Sequence, residues 1–281
     1  MKKVYLLPNV ITAFGLSCGL FVIFKMTMTP VGEANLSILT ATAGFLLLAA
    51  FADLLDGAVA RAMKAESDFG GLFDSLADAI TFGVGPSVIV LKSLSVPQGQ
   101  LSFFITTSAM VYTVCGVLRL VRFNVMNNKA KGDPAMTDAN KKNFTGLPIP
   151  AAAAAVVSGN LFLVSDEFNA VFSLSEMTRF WILFGIMIIL GYLMISRWKF
   201  PSLKKLHVRV ASFRVVFITV IIAALIFYGI LHHFPVVFFI ISWLYLVIAL
   251  VLSLIRKITG RNSKTLEDFE PDPEELDDEL P

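Results

Sequence analysis

The chain has 281 residues, 56% of them hydrophobic, with a mean hydropathy of +0.76 and a formal net charge of +2. Only 16% are charged, against about 25% in an ordinary soluble domain, and 9 of the 21 acidic residues crowd the last 15 positions. The rest is too apolar to face water, which excludes a soluble enzyme, a disordered chain and a nucleic-acid-binding domain, and puts the chain in a lipid bilayer.

A bilayer core of about 30 Å takes roughly 20 apolar residues of helix. In chain order, eight stretches qualify: Asn9 to Met28, Leu36 to Phe51, Leu72 to Leu94, Leu101 to Leu118, Leu147 to Val164, Phe180 to Ile195, Val215 to Leu231, and Val236 to Ile255. Several extend past these limits as helix. The expected fold is therefore an all-α polytopic membrane protein of about eight transmembrane helices. Gly and Ala throughout allow close packing in lipid. No segment carries the alternating pattern of a membrane barrel. Met1, Lys2 and Lys3 precede an apolar run long enough to span, without a small-x-small cleavage site, so a removed signal peptide is not expected. Cys18 and Cys115 both fall in predicted spans and do not indicate a disulfide framework. The acidic stretch from Glu267 to Glu279 reads as a disordered tail.

Orientation follows from Lys and Arg. With the N-terminus in the cytoplasm, 20 of the 23 basic residues lie on the cytoplasmic side. Lys92 and Arg179 fall outside, and Lys25 sits near the outer end of the first span. This bias predicts both termini inside, hence an even number of spans. The basic run from Arg197 to Arg214 reads as a surface attracting anionic lipid headgroups.

Four aspartates stand where a membrane helix should carry none. Asp53 and Asp56 follow the second span; Asp74 and Asp78 open the third. A charge at membrane depth costs at least a few kcal/mol and marks a functional site by default. Asp53, Asp56, Gly57 and Ala60 share one helical face, and so do Asp74 and Asp78. Arg61, Ser67, Gly70 and Gly71 between them suit a tight turn between antiparallel helices, which would converge all four carboxylates. Interfacial capping by Arg61 and Lys64 would explain one or two such acids, not four on two facing helices. Four converging carboxylates need countercharge. Oxygen-only ligands suit hard divalent cations, and a pair of these forms a clamp for phosphoryl transfer. Gly57 and Ala60 leave room beside the helix, and Arg61 suits a phosphate.

The pattern Asp53-x-x-Asp56-Gly57-x-x-Ala60-Arg61, eight residues, Gly70-x-x-x-Asp74-x-x-x-Asp78 resembles the signature of the CDP-alcohol phosphotransferase family at every fixed position. The resemblance implies a six-helix catalytic membrane core over residues 1–200; the apolar stretches add two transmembrane helices over 201–258, and the composition marks the acidic tail over 259–281. It implies two divalent cations, Mg²⁺ or Mn²⁺, bound by Asp53, Asp56, Asp74 and Asp78, with Asp78 also the catalytic base. It implies CDP-donor contacts from Gly57, Ala60, Arg61 and Ser67. Asn9 and Thr12 match a donor-binding N-x-x-T at the start of the first helix, although a helix cap would explain these two alone. Family members commonly form homodimers, so one is expected here.

The signature does not name the acceptor alcohol. Arg119-Leu120-Val121-Arg122-Phe123-Asn124, Phe144-Thr145-Gly146-Leu147-Pro148-Ile149-Pro150 and Leu6-Leu7-Pro8-Asn9 resemble the phosphatidylserine synthase branch of the family, and Ser196 to Lys204 does so more weakly. Val121 stands where that branch usually has Ala. The expected reaction is transfer of a phosphatidyl group from CDP-diacylglycerol to L-serine, with release of CMP. Arg119 and Arg122 are candidates for the serine carboxylate. Ordinary positive-inside charge explains either arginine equally well, and Gly146, Pro148 and Pro150 could simply shape the start of the fifth span. Choline, glycerol 3-phosphate or inositol phosphate are the competing acceptors. A cation transporter or a non-catalytic lipid-binding membrane protein are the readings outside the class. A transporter would set its acids near the midplane on broken helices. His207, His232 and His233 stand too far from the aspartates to share a metal. The two C-terminal spans read as scaffold. The expected location is a bacterial inner membrane, with the active site facing the cytoplasm.

Overall fold

The computed structural model describes residues 6–63, 67–95, 99–130, 143–196, 199–201 and 228–258. Long helices dominate it: α1 (Leu6–Met28), α2 (Leu36–Ala62), α3 (Asp68–Asp78), α4 (Gly85–Ser93), α5 (Gln100–Ala130), α6 (Ile149–Val164), the single turn α7 (Asp166–Asn169), α8 (Glu176–Ile195) and α9 (Phe234–Ile258). A π-turn over Ala79–Val84 joins α3 to α4, so Asp68–Ser93 runs as one span. Among the described residues, six helical stretches are long and apolar enough to cross a membrane. α6, at 16 residues, is shorter. At about 1.5 Å per residue it falls short of a full bilayer core. It manages because it is the inner helix, with Ala152, Ala153 and an unbroken run from Ala155 to Leu161 buried. Of the expected Val215 to Leu231 span, all but residues 228–231 lie outside the described residues, as does the acidic tail.

Polar residues set the helix ends. Asn35 caps α2 by accepting from the Ile38 amide at 2.9 Å, and Ser175 caps α8 by accepting from Thr178 at 3.1 Å. Pro148 and Pro150 sit at the start of α6, where a missing N–H costs nothing. The start of α3 differs from the expected turn. Arg61 lies in the last turn of α2, Ser67 is the cap of α3, and Gly70 and Gly71 lie within the first turn of α3. The Ser67 hydroxyl accepts from the Gly70 amide, and that bond starts the helix two residues before the first glycine.

The π-turn has a local cause in Pro86. Proline has no N–H, so it leaves the Phe82 carbonyl without its helical donor. In lipid such a group must be satisfied inside the protein. The Tyr112 hydroxyl on α5 donates to Phe82 O at 3.1 Å, and Thr113 donates to Gly83 O at 3.1 Å. The Gly85 amide reaches back five residues to Ile80 O. The widened turn and two α5 hydroxyls together settle the backbone.

α1 packs along α2 and across α3 and α4; α5 packs along α8; α9 lies on α6. The main core gathers Tyr112, Leu147, Ile149, Phe180, Leu183 and Met187, all fully buried. Cys18 and Cys115 are buried free thiols. Two three-residue strands, β1 (Asn143–Thr145) and β2 (Lys199–Pro201), pair antiparallel with Phe144 opposite Phe200. At the end away from the aspartates, His233 Nδ1 lies 2.8 Å from Glu167 Oε1, and this bond holds the Glu167 carboxyl below its ordinary range. Nearby, buried Arg179 donates to Asn160 Oδ1 at 2.9 Å, and Ser93 donates to the same oxygen at 3.1 Å.

Candidate active site

The C-terminal half of α2 and the whole of α3 bring the aspartates together. Carboxylate oxygens of Asp53, Asp56 and Asp74 all lie within 4.8 Å of one another. Asp78 lines the same cleft, together with Thr12, Leu16, Ala49 and Phe82. The i, i+3 and i, i+4 spacings therefore point as expected. The Asp53 and Asp74 carboxyls stand close enough for their charges to repel directly. Two carboxyls this close require a proton or a cation between them. The donor set is all oxygen and offers more negative charge than the nearby arginines balance, which fits a hard divalent cation.

α1 supplies one wall. Thr12, 7% exposed, donates to Asp56 Oδ2 at 2.6 Å. A bond this short to a carboxylate is charge-assisted and fixes the Asp56 oxygens. α1 can approach because its facing residues are small. A Cβ on Gly15 would stand 3.3 Å from Ala52, and one on Gly19 would run into the Thr81 side chain. Asn9 reaches the start of α3, where its Oδ1 lies 3.2 Å from the point a Gly70 Cβ would occupy. Asn9, Ser67 and Gly70 thus meet at one place, although the Ser67 hydroxyl already serves as the α3 cap.

Gly57 has a clear steric role. The Arg61 side chain folds back over it, with one guanidinium nitrogen 3.3 Å from where a Cβ would stand. The room left by the missing side chain holds the arginine beside Asp56. Ala60 is half-buried on the same stripe.

α5 brings an arginine toward Asp78. Arg119 is buried at 8% exposure, interacts electrostatically with Asp78, and has an Nε with no partner among the described residues. Its charged and polar neighbours also include Arg122 and Tyr245, the latter from α9. Asn124 donates to Ser75 Oγ at 2.9 Å and ties α5 to α3 beside Asp74. Arg122 is committed elsewhere. It donates to Ile195 O at 3.0 Å and Ser196 O at 3.4 Å, capping the carbonyl end of α8. Gly146 sits against the same junction at φ +82°, where a side chain would clash with the Met194 carbonyl. The Leu147 amide donates to Leu193 O at 3.1 Å. The three separated segments around Arg119, Gly146 and Ser196 are therefore one structural junction, closed by the β1–β2 pair.

Sequence reasoning missed Tyr245, Thr81 and the π-turn. Pro86 was the available signal for the turn. Tyr245 carried none, since it is one tyrosine on a lipid-facing helix.

The sequence profile of the CDP-alcohol phosphatidyltransferases matches residues 5–191. A Helicobacter pylori protein named CDP-diacylglycerol–serine O-phosphatidyltransferase is 30% identical over 261 residues, covering 90% of this chain and 97% of its own. The Bacillus subtilis protein of that name is 34% identical over 199 residues, covering 71% and 92%. That of Methanocaldococcus jannaschii is 31% identical over 177 residues, covering 63% and 72%. With the aspartate signature gathered on α2 and α3 and the profile spanning most of the chain, the protein belongs to the CDP-alcohol phosphatidyltransferase family.

Proposed function

We propose that this chain transfers the phosphatidyl group of CDP-diacylglycerol to the hydroxyl of L-serine and releases CMP. The observation that carries the reading is the convergence of Asp53, Asp56 and Asp74 within 4.8 Å, with Asp78 and a buried Arg119 beside them. Relatives named for the serine reaction support the acceptor.

Asp53, Asp56, Asp74 and Asp78 would hold two divalent cations, Mg²⁺ or Mn²⁺. Bound there, the cations neutralise the diphosphate and stabilise the leaving CMP. The chain's own groups do the rest. Thr12 keeps the Asp56 oxygens turned into the site. Arg61, folded over Gly57, sets a fixed positive charge for the diphosphate. Asn9, Ala60 and Ser67 border the donor's place at the mouth of α3. Asp78 takes the proton from the serine hydroxyl as that oxygen attacks the lipid-side phosphorus. The new P–O bond forms as the bond to CMP breaks. Arg119 is the better partner for the serine carboxylate, because it is buried beside Asp78 with Nε unused. Arg122 holds the junction that carries Arg119's helix against α8.

The bias of 20 basic residues supports a cytoplasmic site and cytoplasmic termini in a bacterial inner membrane. A homodimer is the expected assembly, checked by cross-linking in the membrane. The deciding experiment is CMP release from CDP-diacylglycerol by purified protein with Mg²⁺ or Mn²⁺, comparing L-serine, choline, glycerol 3-phosphate and inositol phosphate. Release with serine alone, lost on chelation and restored by metal, is the expected result. Release with another acceptor instead overturns the serine assignment.

A further inference from the structure

The segment from α3 through the π-turn to α4 runs antiparallel to α5, and side chains join the two in steps. Ser87 Oγ lies 3.2 Å from Ala109 O and 2.9 Å from Thr113 Oγ1, Thr113 donates to Gly83 O, and Tyr112 donates to Phe82 O. The last two bonds satisfy backbone carbonyls that lipid would leave bare. Toward the aspartates, α5 still packs on the π-turn, with little backbone approach to α3. A side-chain pair bridges that gap. Asn124 Nδ2 donates to Ser75 Oγ at 2.9 Å, and Asn124 Oδ1 stands 3.3 Å from the same oxygen. This pair repairs no carbonyl. Ser75 already has an acceptor in Gly71 O at 3.0 Å, the usual helical back-bond. Both side chains are only half-buried, so water would serve either of them. The bond is therefore not forced by the bilayer.

Asp78 and Arg119 lie between these levels. Ser75 stands about one turn before Asp78, and Asn124 about a turn and a half beyond Arg119. On the other side, the Tyr112–Phe82 bond closes the seam about one turn beyond Asp78. Asp78 and Arg119, which interact electrostatically, are thus set on helices pinned together at both ends of the stretch that carries them. We infer that the Ser75–Asn124 pair is a positioning strut for the acceptor: it holds α5 at a fixed distance from α3, and so sets the reach from the Asp78 carboxyl to the Arg119 guanidinium that the acceptor must match. This rests on the roles given to Asp78 and Arg119 above. In L-serine the carbon bearing the hydroxyl is bonded to the carbon bearing the carboxylate, so base and cation must stand close. L-Homoserine carries the same groups with one methylene more between them. The strut selects between such acceptors by length, without touching either.

The test measures kcat/KM in the full chain, with CDP-diacylglycerol and Mn²⁺, for L-serine and for L-homoserine. Asn124→Leu and Ser75→Ala each break the strut at one end. Each is expected to lower kcat/KM for L-serine by about 10- to 100-fold, the cost of misplaced reacting groups. The preference for serine over homoserine should narrow by about tenfold. The KM for donor and the metal concentration for half-maximal rate should stay within about twofold, because the strut shares no partner with them. The double variant should be no worse than either single one, since both remove the same bond. Ser75→Thr, which keeps the hydroxyl, should remain within about threefold of wild type. An unchanged preference for serine over homoserine in both single variants overturns the inference. So does a rise in donor KM or metal requirement that matches the loss with serine, which would make the pair a packing tie. The wild-type protein run alongside separates the two readings. If it turns over another acceptor instead of serine, the serine assignment falls, and the strut stands only if the two single variants lower kcat/KM for that acceptor with donor KM unchanged. If it turns over none, both readings fall.

Discussion

At Asp78 and Asp56 the two kinds of carboxylate work can be told apart by substitution. Asp78→Asn keeps the shape and loses the basic oxygen. Turnover should drop by about 10²- to 10⁴-fold while donor binding persists, measured by CMP release alongside CDP-diacylglycerol binding. Comparable turnover would take Asp78 out of the base role. Thr12→Val acts one step away, by removing the 2.6 Å donor to Asp56. The metal concentration for half-maximal rate should rise about 10- to 100-fold, as for other lost partners of a metal-binding carboxylate. An unchanged metal titration would make that bond merely structural. The aspartates were legible in the sequence because their spacing by three and four fixes a helical face before any packing is known. The Thr12–Asp56 bond was not, since it joins positions 44 apart and depends on how α1 crosses α2. Gly57 was legible as a missing side chain. That the vacated space belongs to Arg61 needed the rotamer.

Among the elements, the passage of α1 across the α3–α4 segment carries the most consequence. Gly19→Ala puts a methyl into the Thr81 side chain and should cost about 1–3 kcal/mol. Gly44→Ala, on the open side of α2 with nothing within 4 Å, should be neutral or gain up to about 1 kcal/mol. Thermal unfolding of both variants in detergent checks the pair, and equal effects would mean that α1 is not seated as described. Of the eight stretches that hydropathy picks out, seven fall on described helices, since a run of apolar residues needs no partner to be read. It placed the start of the third span at Leu72, because Ser67, Asp68 and the two glycines lack apolar character; only the cap bond to Gly70 shows that the helix has begun. The π-turn stayed hidden because Pro86 frees a carbonyl, and whether that bends, breaks or widens a helix is decided by what stands opposite. Here Tyr112 and Thr113 stand opposite.

For the molecule as a whole, the resemblance to one branch of the family rested on three short segments far apart in sequence. They meet at a single junction in space, where Arg122 holds the end of α8 and Gly146 passes beneath it. That convergence could not be read from the chain, because it requires α5, α6 and α8 to be packed first. The two C-terminal spans read as scaffold, and α9 does brace α6 through Ser242 and Trp243, while also bringing Tyr245 toward Arg119. The cleft itself has a mixed lining: the acids share it with Leu16, Ala49 and Phe82, while Phe69, Leu72 and Leu76 of α3 lie open on the helix exterior. A lipid-linked donor would then come in sideways along the bilayer, and a small hydrophilic acceptor would come from solution. Kinetics of this kind obey two-dimensional mass action for one substrate and three-dimensional for the other. In mixed micelles, the rate should follow the mole fraction of CDP-diacylglycerol in the surface, and diluting that surface with inert detergent should slow the enzyme at constant total donor. Diluting the whole sample with matched micelles, at fixed serine, should leave turnover per enzyme unchanged.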